Sequence, residues 1–456
     1  MAERSFRILR WLLPGLGIKR WLLLAAFGAL LGLDGAGRWL TAEGANFGIN
    51  EAIDDIVGDI FPDQVLAWLA YIFIGLGVIL MIVGIRQWLR SIVGAIAPLR
   101  NEGTDNIVDA LMQRRLQRGY KIVAIGGGTG LGTLLRGLKR YTSNLTAVVT
   151  VSDDGGSSGR LQKELGVLPP GDVRNCLVAL ADDEALVTDL FRYRFEEGEG
   201  LIGHSFGNLF LAAMTGITGN FDTAVKESSR VLNIKGRVLP ATLAVARLCA
   251  ELADGSILEG ESSISSATQR IKRVYLDPPL AQPLPEVIAA IRDADAIVLG
   301  PGSLYTSILP NLLVQTMAAE VAASNAVKIY VCNVMTQPGE TDDFSAFEHV
   351  KALLEGTGEP KLFDYAIVNR EPPRKLLEVY AEEGQIMVEP DTNEIAALGV
   401  RPIAARVISE TQTVRHDPHK LAEVTIGVID KAIAERSSYV KRFNAAPTPA
   451  PDALQH

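Results

Sequence analysis

The sequence predicts a mostly parallel, doubly wound α/β sheet with a helical insertion, preceded by a two-helix transmembrane hairpin. Three observations lead there. Short apolar runs alternate with helical segments, a glycine-rich or polar loop follows each apolar run, and the strongest uninterrupted apolarity lies near the amino terminus. With 456 residues, 48% of them hydrophobic and 21% charged, the chain can bury at least one large core.

Residues 1–100 carry the expected hairpin, with spans at about 21–40 and 64–85. Gln64 to Ile85 is uncharged and long enough to cross a bilayer as a helix, with Trp68 and Tyr71 toward one interface. In Trp21 to Leu40 the first half is apolar, while Asp34 and Arg38 interrupt the second. A cleaved signal peptide is the competing reading. It is rejected because no small-residue cleavage site follows cleanly and a second apolar stretch comes soon after. The connection Thr41 to Asp63 holds six acidic residues and no Lys or Arg, whereas Arg4, Arg7, Arg10, Lys19 and Arg20 precede the first span and Arg86, Arg90 and Arg100 follow the second. The positive-inside bias therefore predicts a multi-pass protein of the cell membrane, with its amino terminus and main domain in the cytoplasm.

A polar linker, 101–119, leads to the main domain, 120–437; the Ala/Pro-rich tail 438–456 is expected to be disordered. Candidate strands are Ile122 to Ile125, Ala147 to Val151, Ala296 to Leu299, Lys328 to Cys332 and Tyr365 to Val368. The loops after them read GGGTG, SDDGGSSGR, GPGSLYTS, CNVMTQPGET and NR, and in an open α/β sheet they converge outside the carboxyl ends of the strands. Leu165 to Gln282 reads as mostly helical, an insertion that walls the site.

Net charge and cysteines narrow the function classes. A formal charge of −9 excludes a general nucleic-acid binder, which needs a basic face to neutralise phosphates. Cys176, Cys249 and Cys332 lack any CxxC spacing and read as buried, reduced thiols, with no zinc site.

The loop residues supply the candidate chemistry. Gly126, Gly127, Gly128 and Gly130 let an anion approach bare backbone N–H groups, and the helix that starts near Thr129 points its positive end at the same spot. The cluster lacks both the third glycine of a dinucleotide fingerprint and the lysine of a Walker A loop, so ordinary NAD binding and ATP hydrolysis lose ground. Asp153 and Asp154 offer carboxylates to a divalent cation, or alternatively bind ribose hydroxyls or cap a helix; Ser157, Ser158 and Arg160 offer donors to phosphate. PPGDVRN puts Asp172, Arg174 and Asn175 at a helix start, with a merely capping Asp172 as the alternative.

Gly203 to Gly207, GHSFG, formally matches the nucleophile elbow, yet no buried strand precedes it and hydrolase chemistry is set aside. His204, Ser205 and Asn208 instead sit at a helix start facing a phosphate or sugar, with a hydrogen-bonded structural role as the equal alternative for His204. In KGRVLPAT, Arg237 rather than Lys235 is the expected phosphate contact, because a planar fork suits phosphate. Gly302, Ser303, Tyr305, Thr306, Asn333, Thr336 and Thr341 fall on sheet-edge loops.

Taken together, IGGGTGL, VSDDGGSSGRL, LPPGDVRNCLVAL, GHSFGN, KGRVLPAT, GPGSLYTSILPN and CNVMTQPGET closely resemble the YvcK branch of the CofD-like family, the gluconeogenesis factors, across Lys121 to Gly356. The resemblance implies a Rossmann-like α/β fold that binds a nucleotide diphosphate. In that branch it further implies UDP-sugar binding, as of UDP-N-acetylglucosamine, and a role in central carbon use, cell-envelope synthesis and cell shape. The CofD branch transfers a phospholactyl group to a deazaflavin precursor with magnesium assisting, so Mg2+ is the candidate cofactor. By resemblance Gly126 to Gly130, Asp153, Asp154 and Asn208 lie by the diphosphate or the metal. A homo-oligomer and envelope-synthesis partners are expected. The amino-terminal hairpin departs from the usual soluble pattern of the family. Two function classes stand: a UDP-sugar-binding regulator and a magnesium-assisted transferase of a phosphoryl-linked group. The regulator is preferred because no residue stands out as a general base, and whether the chain is an enzyme stays open.

Overall fold

The structure, a computed structural model, describes residues 18–42, 63–96, 114–182 and 184–444. Most of the acidic connection, most of the linker, the basic residues ahead of Ile18 and tail residues 445–456 lie outside the described residues. The chain forms two compact units, Met1–Met112 and Gln113–His456.

The first unit contains helices Ile18–Ala42 and Asp63–Ile96. One of them is long and apolar enough to cross a membrane, through Tyr71–Trp88 with a mean hydropathy of 1.8. In the other the apolar stretch is only Leu23–Leu33, cut short by the same Asp34 that breaks the pattern in sequence. The helices run antiparallel and touch backbone to backbone at glycines. A Cβ on Gly28 would lie 2.6 Å from the Met81 nitrogen, and one on Gly77 would lie 2.5 Å from the Gly32 nitrogen. Only residues without side chains allow that approach, the device that membrane helices use to pack.

The second unit is built on seven parallel strands: β1 (Ile122–Gly126), β2 (Leu145–Val149), β3 (Arg237–Pro240), β7 (Ala296–Leu299), β8 (Val327–Val331), β9 (Tyr365–Asn369) and β10 (Arg401–Ala405). Their order is β10-β9-β8-β7-β1-β2-β3, so the winding reverses between β1 and β7. At β1, β2, β7 and β8 both faces are covered and every residue is buried, which is why these strands read as mostly apolar runs. Val123, Ile125, Ile297 and Leu299 enter one core, while Ile122, Ala124, Ala296 and Val298 enter the other. The doubly wound expectation holds, with β2 two residues earlier than predicted and β8 one residue earlier.

The insertion differs from its expectation. It begins with helices, Gly171–Leu180, Glu184–Arg192, Phe206–Thr218 and Phe221–Val231. KGRVLPAT then forms β3, and a separate antiparallel sheet follows, β5-β4-β6, from Arg247–Leu252 (β4), Ile257–Glu259 (β5) and Ile271–Asp277 (β6). RLCAEL reads equally as helix or strand, and pairing with β6 decides it. Carboxyl-terminal elements also escaped the sequence reading, among them edge strand β10 and a hairpin of Ile408–Glu410 (β11) and Val414–His416 (β12). Helix Pro418–Asn444 escaped it too, and carries regular structure seven residues past the expected domain end at 437.

Candidate functional site

A cleft of about 380 Å3 opens outside the carboxyl ends of β1, β7 and β8, at the reversal of winding, where open α/β sheets bind ligands. Gly127, Gly128, Thr129 and Gly130 line one side, and Gly302, Ser303 and Ser307 another. The glycines answer to definite demands. Gly128 takes a left-handed φ of +64°, which favours a residue without Cβ. A Cβ on Gly130 would lie 2.5 Å from the Pro301 carbonyl oxygen, so the start of helix Gly128–Leu138 can press against the post-β7 loop only as glycine. Asn311 pins the end of β1 by donating to the Gly126 carbonyl at 3.0 Å.

The post-β8 loop closes the third side with Asn333 and Thr336. Asn333 Oδ1 accepts from the Gly302 N–H at 3.2 Å, and Ser303 Oγ donates to Gln337 Oε1 at 2.7 Å. The Thr336 hydroxyl accepts from the Ile386 N–H at 2.9 Å and so braces the loop. The fourth wall comes from the carboxyl-terminal hairpin through Val414, Arg415 and His416, with Tyr380 behind it, whose hydroxyl accepts from the Val414 N–H at 3.0 Å. His416 is pushed down to about 4 by burial, which keeps its imidazole neutral, and its Nε2 is buried with no hydrogen-bond partner among the described residues. Sequence reading missed this wall. The only trace there was a short alternation ending in RHD, far from the glycine motifs.

Beside the cleft lies a second polar group. Arg174 donates to Ser205 Oγ at 2.7 Å, to Asn208 Oδ1 at 3.0 Å and to Asn175 Oδ1 at 3.1 Å. Ser157 Oγ meets His204 Nδ1 at 2.9 Å, and Asn208 Nδ2 donates to Ser158 Oγ at 3.4 Å. Seven of the expected site residues thus meet in one largely buried network, built by helix Gly156–Leu165, the start of helix Gly171–Leu180 and the start of helix Phe206–Thr218. Burial lowers the pKa of Arg174, with the Arg194 charge adding to it, and also that of His204. Arg160 donates to the Ile202 carbonyl at 2.7 Å and ties down the loop that delivers His204.

Asp172 joins the two regions. Its carboxylate accepts from the Gly128 N–H and is pushed up to about 7, by burial first and by Asp153 second. Gly127 is extended, yet a Cβ there would overlap Asp172 Oδ2, so this glycine makes room for the carboxylate. Asp172 was expected at a helix start beside Arg174 and Asn175, with capping as the alternative. The N-cap of its helix is Pro170, and Asp172 faces the glycine loop instead. Asp153 Oδ1 accepts from the Gly155 N–H at 3.0 Å, and its Oδ2 lies against Gly171. Asp154 is engaged elsewhere: its Oδ1 accepts from both the N–H and the hydroxyl of Ser262 at 2.9 Å.

Two further carboxyls border this group. Glu261 is pushed up to about 9 by burial, with Asp172 and Asp153 adding to it, and Glu340 is raised by burial while accepting from Thr306, Ser265 and Gln337. Each leaves one buried oxygen unpartnered. Among the described residues no three His, Cys, Asp or Glu side chains are grouped so as to hold a metal ion by themselves.

Two expected contacts point away. Arg237 opens β3 in register with Thr146, whose hydroxyl accepts from its Nε at 2.8 Å, so it stands at the amino edge of the sheet, opposite the cleft. The segment is a strand rather than the lead into a helix. Tyr305 packs edge-on to Phe344 and lines a different cavity, because only Ser303 and Ser307 of the π-helical turn Leu304–Ile308 and its cap reach the cleft. The three cysteines are buried and free.

Comparison with known proteins agrees with this architecture. Residues 122–408 match the family described as 2-phospho-L-lactate transferase CofD. The gluconeogenesis factor of Bacillus subtilis is 52% identical over 311 residues, 68% of this chain and 98% of that one. A relative in Nostoc sp. is 49% identical over 432 residues, 93% of each chain, so its similarity runs well into the amino-terminal unit. A crystal structure from Bacillus halodurans has a TM-score of 0.66 at 49% identity and covers 68% of this chain and 100% of that one.

Proposed function

The chain belongs to the CofD family, and from that premise we propose that it is a membrane-anchored, cytoplasm-facing regulator that binds a UDP-sugar and couples central carbon use to cell-envelope synthesis and cell shape. One observation carries the reading: the cleft of about 380 Å3 presents the backbone of Gly127 to Gly130 at a helix start, surrounded by small polar side chains, with the Gly128 N–H already held by Asp172. Backbone N–H groups at a helix amino terminus take a diphosphate. The cleft falls in the size range of small-molecule sites. The apolar stretch Tyr71–Trp88 supports the anchor.

The carboxylates favour a Mg2+-dependent ligand. Mg2+ is typically held by one or two carboxylates together with ligand phosphates, and Asp153 beside Asp172, next to the glycine loop at Gly128, offers that donor set. The residues therefore fit the ion, although with Asp172 rather than Asp154 as the second carboxylate. Bound there, Mg2+ would supply charge neutralisation at the diphosphate. The same two carboxylates give the transferase reading its support, since Asp172, poised near 7, is suited to hold or release a proton at the cleft.

Titration of the full-length chain with UDP-N-acetylglucosamine, with and without Mg2+, tests the proposal. Saturable binding with the sugar nucleotide recovered intact is the expected result. Release of free nucleotide that requires the protein and disappears in Asp153→Asn would favour the transferase, and no binding of any UDP-sugar would overturn the regulator.

A further inference from the structure

A second cavity of about 530 Å3 lies between β6 and helix Ala346–Thr357, and shares no lining residue with the cleft. Tyr305 lines it and is only 6% exposed. Its hydroxyl has no hydrogen-bond partner among the described residues. The oxygen itself is not sealed off, so it faces the cavity as a free donor and acceptor. Phe344 and Phe347 add an aromatic wall, and Arg270 lies over the Phe344 ring at 5.0 Å while also lining the cavity.

The cations around this cavity are not equally engaged. Lys272 and Arg273 each contact Glu251 at 2.6 Å, so both are committed. Arg270 reaches Glu348 only at 3.4 Å and Lys351 reaches Glu355 only at 3.8 Å. Such long, solvent-facing pairs contribute little and yield readily to a better anion. A guanidinium already stacked on one ring can stack on a second, planar partner.

We propose that this cavity is a second ligand site, for a small aromatic anion of mononucleotide size. Its ring stacks against Arg270 and the phenylalanine wall, its phosphate takes Lys351, and the Tyr305 hydroxyl supplies a hydrogen bond from the cavity wall. The site is placed to influence the cleft. Tyr305 belongs to the five-residue turn Leu304–Ile308, in which Ser307 lines the cleft and Thr306 holds Glu340 at 2.9 Å. The inference does not depend on which ligand the cleft takes.

The test is calorimetric titration of the full-length chain in detergent micelles with adenosine monophosphate, uridine monophosphate and inorganic phosphate. At least one mononucleotide should bind saturably and more tightly than inorganic phosphate. Tyr305→Phe, which removes one oxygen and keeps the packed ring, should weaken that binding roughly tenfold, as loss of one buried hydrogen bond predicts, and Lys351→Ala should do the same. Absence of saturable binding by both mononucleotides, equal binding by inorganic phosphate, or wild-type affinity in either variant would overturn the proposal.

Discussion

Asp172→Asn keeps the shape of a carboxylate and removes its charge, at the residue where the glycine loop meets the acidic group. The ordinary value of 3.8 is raised to about 7, because the carboxylate is buried and faces Asp153. A shift of about three units corresponds to ~4 kcal/mol. Below pH 4 both folded and unfolded chains hold the proton and nothing is lost. Between about pH 4 and 7 the unfolded chain releases it while the folded chain does not, so stability falls as pH rises through that window and then levels off. The amide variant would have no such slope, and at pH 8 it should be the more stable protein, by up to ~4 kcal/mol. Denaturant unfolding of wild type and variant at pH 4 and pH 8 reads this directly, with equal midpoints expected at pH 4. Glu261, raised to about 9 by burial first and Asp172 second, adds slope of the same sign to both proteins, and less of it in the variant, where the Asp172 charge is gone. The same change should weaken Mg2+-dependent ligand binding, a trade of function for stability. Equal midpoints at pH 8, or a less stable variant there, would refute the claim that Asp172 is a buried carboxylate opposed by Asp153.

The remaining predictions concern the loop, the acidic pair and the anchor. Gly130→Ala places a Cβ 2.5 Å from the Pro301 oxygen and should force the two loops apart, lowering ligand affinity at least tenfold by titration while far-ultraviolet circular dichroism stays native. Asp153→Asn should abolish the Mg2+ dependence of binding. Asp154→Asn, which disturbs the bonds to Ser262, should instead cost about 1–3 kcal/mol of stability in a denaturation curve and leave that dependence in place. The full-length chain should sediment with membranes, whereas a chain beginning at Gln113 should stay in the supernatant; full-length protein in the supernatant would refute the anchor.

Much of this protein is legible in sequence because much of its site is made by local rules. Gly126 to Gly130 follow a buried apolar strand and open a helix, and that order alone puts bare N–H groups where an anion can reach them. The other cleft loops after β7 and β8 are also continuous segments, so residues such as Ser303 and Asn333 announce themselves by standing just past an apolar run. An apolar length sufficient to cross a membrane is likewise a property of one segment.

What tertiary structure decided depends on residues that meet from afar. Asp172 looks like a helix cap until Gly127 and Asp153 are brought against it, and Asp154 looks like its neighbour's partner until Ser262 takes its carboxylate. Arg237 joins the opposite sheet edge because KGRVLPAT pairs with β2 rather than starting a helix, and Tyr305 leaves the cleft because a single turn divides its side chains between two cavities. His416 completes the cleft from 290 positions beyond Gly126. Backbone conformation is set by neighbours in the chain, whereas burial, charge opposition and the direction of a side chain are set by whichever distant segment packs against it.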